Sequence, residues 1–139
     1  MTSTQLHDPL PTVLVVDDEV RSQDAMRRTL DEDFTVFTAS SADEARGLLE
    51  RQPVSVILCD QRMPGMTGVN FLKEVRERWP ETVRIVISGY TDGEDIIAGI
   101  NEAGIYQYIL KPWAPDHLLD SVRNAVEAQS LQRQTSRLD

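Results

Sequence analysis

The sequence predicts a doubly wound α/β domain, a five-stranded parallel sheet with helices on both faces. Three observations predict it. Five short apolar runs alternate with five segments of helical periodicity, and such alternation implies parallel strands joined by right-handed crossovers. The third run, VSVILC (54–59), is almost continuously apolar, as befits a strand covered on both faces. At 139 residues and 40% hydrophobic content, the chain suits one domain with a core of its own.

The elements follow in order. Residues 1–11 hold two prolines and few apolar groups and are expected to form a loose tail. TVLVVDDEV contains a first strand, residues 13–16, that stops on Asp17 and Asp18. Val20, Met26 and Leu30 then lie at helical spacing through RSQDAMRRTLDED. FTVFTA (34–39) is rich in β-branched and aromatic residues and reads as the second strand. Ser41 with Glu44 three residues on has the spacing of a capping box, so a second helix opens there and Pro53 ends it. After the third strand, Val69, Leu72, Val75 and Trp79 form the apolar stripe of a helix closed by Pro80. VRIVIS (83–88) is the fourth strand. Thr91 and Glu94 repeat the capping-box spacing for a fourth helix, terminated by Gly104. IYQYIL (105–110) is the fifth strand, broken by Lys111-Pro112, and Pro115 suits the first turn of a last helix. That helix carries Leu118, Leu119, Val122 and Val126 on one face. It is expected to run on through AQSLQRQTSRLD as a helical extension, residues 129–139, towards a partner subunit or a further domain, with a frayed tail as the alternative.

Composition excludes several classes of function. Acidic residues outnumber basic ones, 23 to 14, for a formal net charge of -9. That argues against non-specific binding of nucleic acid or anionic membrane by this segment. Cys59 is the sole cysteine, so an internal disulfide is impossible, and no Cys/His set suggests zinc. The start of the chain lacks a signal-peptide pattern and no stretch is long enough to span a bilayer, so a cytoplasmic setting is expected.

Ligands of open parallel sheets bind at the carboxyl ends of the strands. Here those ends carry Asp17 and Asp18, Asp60, Ser88 and Lys111. Each taken alone has an ordinary reading: a turn or cap aspartate, a loop hydroxyl, a solvated lysine. Cys59 reads as a core residue, and His7 and His117 as surface residues. Together the five groups place three carboxylates, a hydroxyl and an ammonium at one sheet edge. Neighbouring carboxylates repel unless a cation joins them, and an oxygen-only ligand set favours magnesium, or manganese. An aspartate beside such a metal can act as a nucleophile in phosphoryl transfer. The chain contains no GxxxxGK[ST] loop, so ATP hydrolysis is not expected of it.

VLVVDDE, ILCDQRMPGMTG, VISGYTD and YILKPW, in that order, resemble the CheY-like receiver domain of two-component response regulators over roughly residues 12–128. The resemblance implies the flavodoxin-like (βα)5 strand order 2-1-3-4-5. It makes Asp60 the phosphoacceptor for a histidine kinase. Asp18 would bind magnesium directly with Asp60 and the backbone carbonyl of Arg62, and Asp17 mainly through metal-bound water. Lys111 and Ser88 would hold phosphoryl oxygens, and Tyr108 matches the aromatic switch position. Lys111-Pro112 is expected to be cis, as in the family. Arg62 and Tyr90 occupy positions where members differ and the phosphoryl lifetime is tuned.

DQRMPGMTGVNFL, SGYTD and INEAGIYQYILKPW look most like NtrC-type sigma-54 activators, particularly hydrogenase-expression regulators. That implies transcription regulation through a DNA-binding domain absent from these residues. A homodimer is expected through the fourth helix, fifth strand and fifth helix, or through the extended last helix; Ile97, Ile100, Asn101 and Tyr108 are candidates for that face, with core packing as the alternative for the isoleucines and Tyr108. The domain is then a phosphoacceptor rather than a turnover enzyme. Alternatives are a receiver controlling a cyclic-di-GMP phosphodiesterase and a phosphorylation-independent interaction module. A haloacid-dehalogenase-type phosphatase expects an aspartate two residues after the nucleophile, where Arg62 stands.

Overall fold

A computed structural model describes residues 10–138, without the side chains of Tyr90, Asp95, Ala98 and residues 134–138. The expected tail and His7 lie wholly or mostly outside the described residues.

Five parallel strands form one sheet: β1 (Thr12–Val16), β2 (Thr35–Ala39), β3 (Val56–Asp60), β4 (Val83–Ser88) and β5 (Ile105–Leu110). Their order is β2-β1-β3-β4-β5, as expected from the sequence. The helices are α1 (Val20–Leu30), α2 (Ala42–Arg51), α3 (Gly68–Arg78), α4 (Gly93–Ala103) and α5 (Pro115–Leu138). Alternate residues of a strand face opposite sides of the sheet, and the core divides accordingly. Val13, Val15, Leu58, Ile85 and Ile87 pack with Met26 of α1 and Leu118 and Val122 of α5. Leu14, Val16, Ile57 and Cys59 pack on the other face with Leu49 of α2, Leu72 of α3 and Ile96 of α4. Every residue of β3 is buried, which explains its uninterrupted apolar sequence.

Local signals account for most helix ends. Ser41 Oγ accepts from Glu44 N–H at 3.1 Å, while Glu44 Oε1 accepts from Ser40 N–H rather than from the cap residue itself. Gly104 ends α4 at φ 60°, a left-handed conformation in which a side chain is strained. Lys111-Pro112 is cis.

Four expectations need correction. Val20 opens α1 but is 64% exposed; the buried stripe is Gln23, Met26 and Leu30, because the first turn stands clear of the sheet. The third strand begins at Val56, not Val54, and includes Asp60. Trp79 is the cap after α3 rather than part of it, its ring stacked under the Arg78 guanidinium. Thr91 does not cap the fourth helix. A single 3-10 turn, Tyr90–Asp92, intervenes; Asp92 Oδ2 closes that turn by accepting from Gly89 N–H at 3.0 Å, and α4 itself has no side-chain cap.

Candidate functional site

The carboxyl ends of β1, β3, β4 and β5 converge as parallel pairing requires. Asp60 is the last residue of β3 and Ser88 the last of β4, while Asp17 follows β1 and Lys111 follows β5. Backbone bonds lock the ends together. Asp17 N–H donates to Ala39 O, Gln61 N–H to Ile87 O and Lys111 N–H to Ser88 O, at 3.0, 2.8 and 2.7 Å.

Ligand oxygens of Asp17, Asp18 and Asp60 lie within 4.8 Å of one another, with Asp17 and Asp60 buried and Asp18 exposed. Lys111 Nζ stands 2.8 Å from Asp60 Oδ1. Glu19 N–H donates to Asp17 Oδ1 at 2.9 Å. Among the described residues, Asp17 Oδ2 and Ser88 Oγ are buried with no hydrogen-bond partner. Burial pushes the Asp60 carboxyl above the ordinary carboxylate value; Lys111 opposes the rise and Asp18 adds to it. Burial raises Asp17 too, opposed by the Glu19 N–H and reinforced by Asp60. Burial alone would lower Lys111, but its bond and attraction to Asp60 win and hold the ammonium above its usual value.

An unsatisfied buried carboxylate oxygen is costly. The three carboxylates, with one ammonium, leave net negative charge. The residues therefore fit a hard divalent cation, which oxygen donors suit and which would satisfy Asp17 Oδ2.

The turn after β3 is shaped around Asp60. The backbone N–H of Arg62 favours the ionised form of Asp60. Gly65 takes φ 81°, and a Cβ on Gly68 would stand 2.4 Å from the Asp60 carbonyl oxygen. Gln61, 2% exposed, closes the loop by accepting from Val69 N–H through its side chain and from Gly68 N–H through its backbone. The Gln61 side chain is thus a brace for the turn.

The residues expected outside this cluster lie apart from it. Tyr108 lies two residues before the end of β5, registered against Val86 and 47% exposed. Ile97 is 74% exposed, whereas Ile100 packs partly on the core. His117 is exposed. Two contributors escaped sequence reasoning. Gln23 donates to Asp17 O at 2.6 Å and to Ser40 Oγ at 3.0 Å, joining the loops after β1 and β2; its place on the 23-26-30 stripe was the available signal. Asp92 was passed over in favour of Thr91.

A family model described as the response regulator receiver domain matches residues 13–123. Hydrogenase transcriptional regulatory protein HoxA of Cupriavidus necator is 80% identical over 134 residues, 96% of this chain and 28% of that protein. The protein of the same name from Bradyrhizobium diazoefficiens is 61% identical over 124 residues, 89% of this chain and 26% of that protein. The chain thus spans about a quarter of the length of these relatives. A crystal structure of NtrX from Brucella abortus superposes with a TM-score of 0.86 at 31% identity, over 94% of this chain and 30% of that one.

Proposed function

As the chain belongs to the response regulator receiver domain family, we propose that Asp60 accepts a phosphoryl group from the phosphohistidine of a sensor kinase. An Asp60 carboxylate oxygen attacks phosphorus, the P–N bond breaks, and the imidazole leaves with the electron pair and takes a proton. Asp17, Asp18, Asp60 and the Arg62 backbone carbonyl would hold magnesium, or manganese, which would supply positive charge against the phosphoryl oxygens. Asp17 would contribute mainly through an intervening water. Lys111, already paired with Asp60, passes its ammonium to a phosphoryl oxygen. Ser88 donates its hydroxyl to another.

The observation that carries this reading is a pair of buried polar atoms, Asp17 Oδ2 and Ser88 Oγ, without partners among the described residues and flanking an ion-paired aspartate. They are the vacant bonding capacity that a cation and a phosphoryl group would use. An open cleft of ≈ 470 Å³, walled by Asp18, Gln61, Arg62 and Pro64 among others, adjoins the cluster at Asp18.

The output is a population shift in which Ser88 and Tyr108 re-pack. It alters the face formed by α4, β5 and α5 and so dimerisation, through that face or through the extended α5. Identity of 80% to HoxA supports control of hydrogenase transcription, through a DNA-binding domain outside these residues and in the cytoplasm. Incubation with magnesium and acetyl phosphate tests the chemistry. The expected result is a phosphoryl mass increment that Asp60→Asn abolishes; an increment that survives this change would overturn the assignment.

A further inference from the structure

The buried face of α1 holds an amide beside its apolar residues. Gln23 lies there with Met26 and Leu30 and is 7% exposed. A polar side chain at such a position destabilises the fold unless it is bonded. Gln23 Nε2 donates to Asp17 O at 2.6 Å and to Ser40 Oγ at 3.0 Å, with Ala39 O a third acceptor at 3.5 Å. The Gln23 backbone N–H donates to Glu19 O at 3.1 Å. One residue therefore grips both ends of the segment Asp17–Asp18–Glu19 and fastens it to the end of β2.

We propose that Gln23 is a positioning residue for the metal site: by holding the Asp17 carbonyl against the loop after β2, it sets how tightly the acidic cluster takes a divalent cation. This rests on the reading of that cluster as a magnesium site.

Three features give Gln23 this leverage. The Asp17 carbonyl belongs to the peptide that joins Asp17 to Asp18. A peptide is planar, so fixing its oxygen fixes the direction in which the chain enters Asp18. Asp18 is exposed, and packing does not hold its carboxylate in place. The second feature is a firm abutment. Ser40 N–H donates to Glu44 Oε1, Ser41 Oγ caps α2, and Asp17 N–H donates to Ala39 O. The third is charge. Oxygens of Asp17, Asp18 and Asp60 lie within 4.8 Å of one another, and their repulsion pushes the loop after β1 away from β3. Gln23 resists that push with neutral N–H groups. A lysine or arginine could grip the same carbonyl only by adding positive charge beside the site, which would oppose a cation.

The test is a magnesium titration of the 139-residue chain at neutral pH, followed by the backbone amide NMR shifts of Asp17–Glu19 and Arg62. Gln23→Met keeps the length of the side chain and removes its donors. Its Kd for magnesium should rise roughly tenfold, the low end of the range for groups that orient metal ligands. Ser40→Ala, at an exposed position, removes the abutment alone and should raise Kd roughly twofold, the loss of one weak hydrogen bond. Ser40→Ala added to Gln23→Met should change nothing further, because the two act through one contact. A merely structural role would lower stability in urea and leave the Kd of the folded chain unaltered. Wild-type Kd in both single variants would overturn the inference alone, as would additive effects in the double variant. A wild-type chain whose shifts ignore magnesium would overturn the metal reading and this inference together.

Discussion

Gly68→Ala probes the turn that presents Asp60. The added Cβ would stand 2.4 Å from the Asp60 carbonyl oxygen and 3.0 Å from both Asp60 C and Gln61 Cα, where ordinary contact begins at 3.4 Å. All three neighbours are backbone, so no flexible side chain can yield. The start of α3 must withdraw by about 1 Å, the overlap with the nearest atom. That stretches two bonds that now measure 3.0 and 2.9 Å, Gly68 N–H to Gln61 O and Val69 N–H to Gln61 Oε1. Overpacking of this kind costs roughly 1–3 kcal/mol, and each weakened hydrogen bond up to about 1 kcal/mol. Alanine's better helix propensity returns about 1 kcal/mol at most. The net expectation is a loss of roughly 1–3 kcal/mol, with slower phosphorylation because the shift bears on Asp60 itself. Gly47→Ala is the control. Its Cβ meets only Arg51 Nη2, at 4.0 Å, so that change should stabilise by about 0.5–1 kcal/mol. Urea unfolding and acetyl phosphate labelling of both variants are the assays. A Gly68→Ala chain with wild-type stability and wild-type labelling rate would refute the close-approach argument.

Other perturbations give equally definite outcomes. Lys111→Met should raise the Asp60 pKa in metal-free protein, because burial already lifts it and the ammonium opposes that lift; a carboxyl carbon NMR titration that does not move would dismiss the pairing. Asp17→Asn should stabilise the metal-free chain, since the buried carboxylate is strained by desolvation and by Asp60. It should also weaken stabilisation by magnesium, which for wild type reaches about 1.4 kcal/mol at tenfold excess over Kd; thermal melts with and without the ion check both halves. Arg46 Nε sits 2.6 Å from Glu74 Oε2, and Arg46 holds the Glu74 carboxyl below its ordinary 4.5. A depressed carboxylate contributes stability above its unfolded pKa and loses it as pH falls through the folded one. Glu74→Gln should therefore cost up to about 1 kcal/mol at neutral pH and progressively less below pH 4.5; an equal cost in urea at neutral and strongly acid pH would contradict the pairing.

Much of this architecture was legible in sequence because a parallel sheet writes itself plainly. Strands buried on both faces read as apolar runs, and the polar residue that ends each run marks the ligand edge. Asp17, Asp60, Ser88 and Lys111 were found by that rule, and the structure brings their strand ends together. What stayed hidden depends on how separate loops meet. Gln23 looks like an ordinary helical amide until the loops after β1 and β2 close around it. Thr91 and Glu94 matched a local capping pattern, yet the chain inserts a 3-10 turn closed by Asp92 and leaves α4 without a side-chain cap. No local pattern encodes the choice, because Asp92 also draws on Arg62, thirty residues earlier. Val20 had the right spacing but sits in a first turn that stands proud of the sheet.

The lone thiol of Cys59 is fully buried in the layer under α2, α3 and α4, beside Asp60 in sequence, and burial pushes its pKa far up. In the closed fold it is neither thiolate nor reachable by an alkylating reagent. Its modification therefore requires β3 to come open. The chain carries its own breathing gauge: the rate at which a maleimide consumes this sulfur reads the opening of the strand that presents Asp60, with no label introduced and no second cysteine to confuse the count.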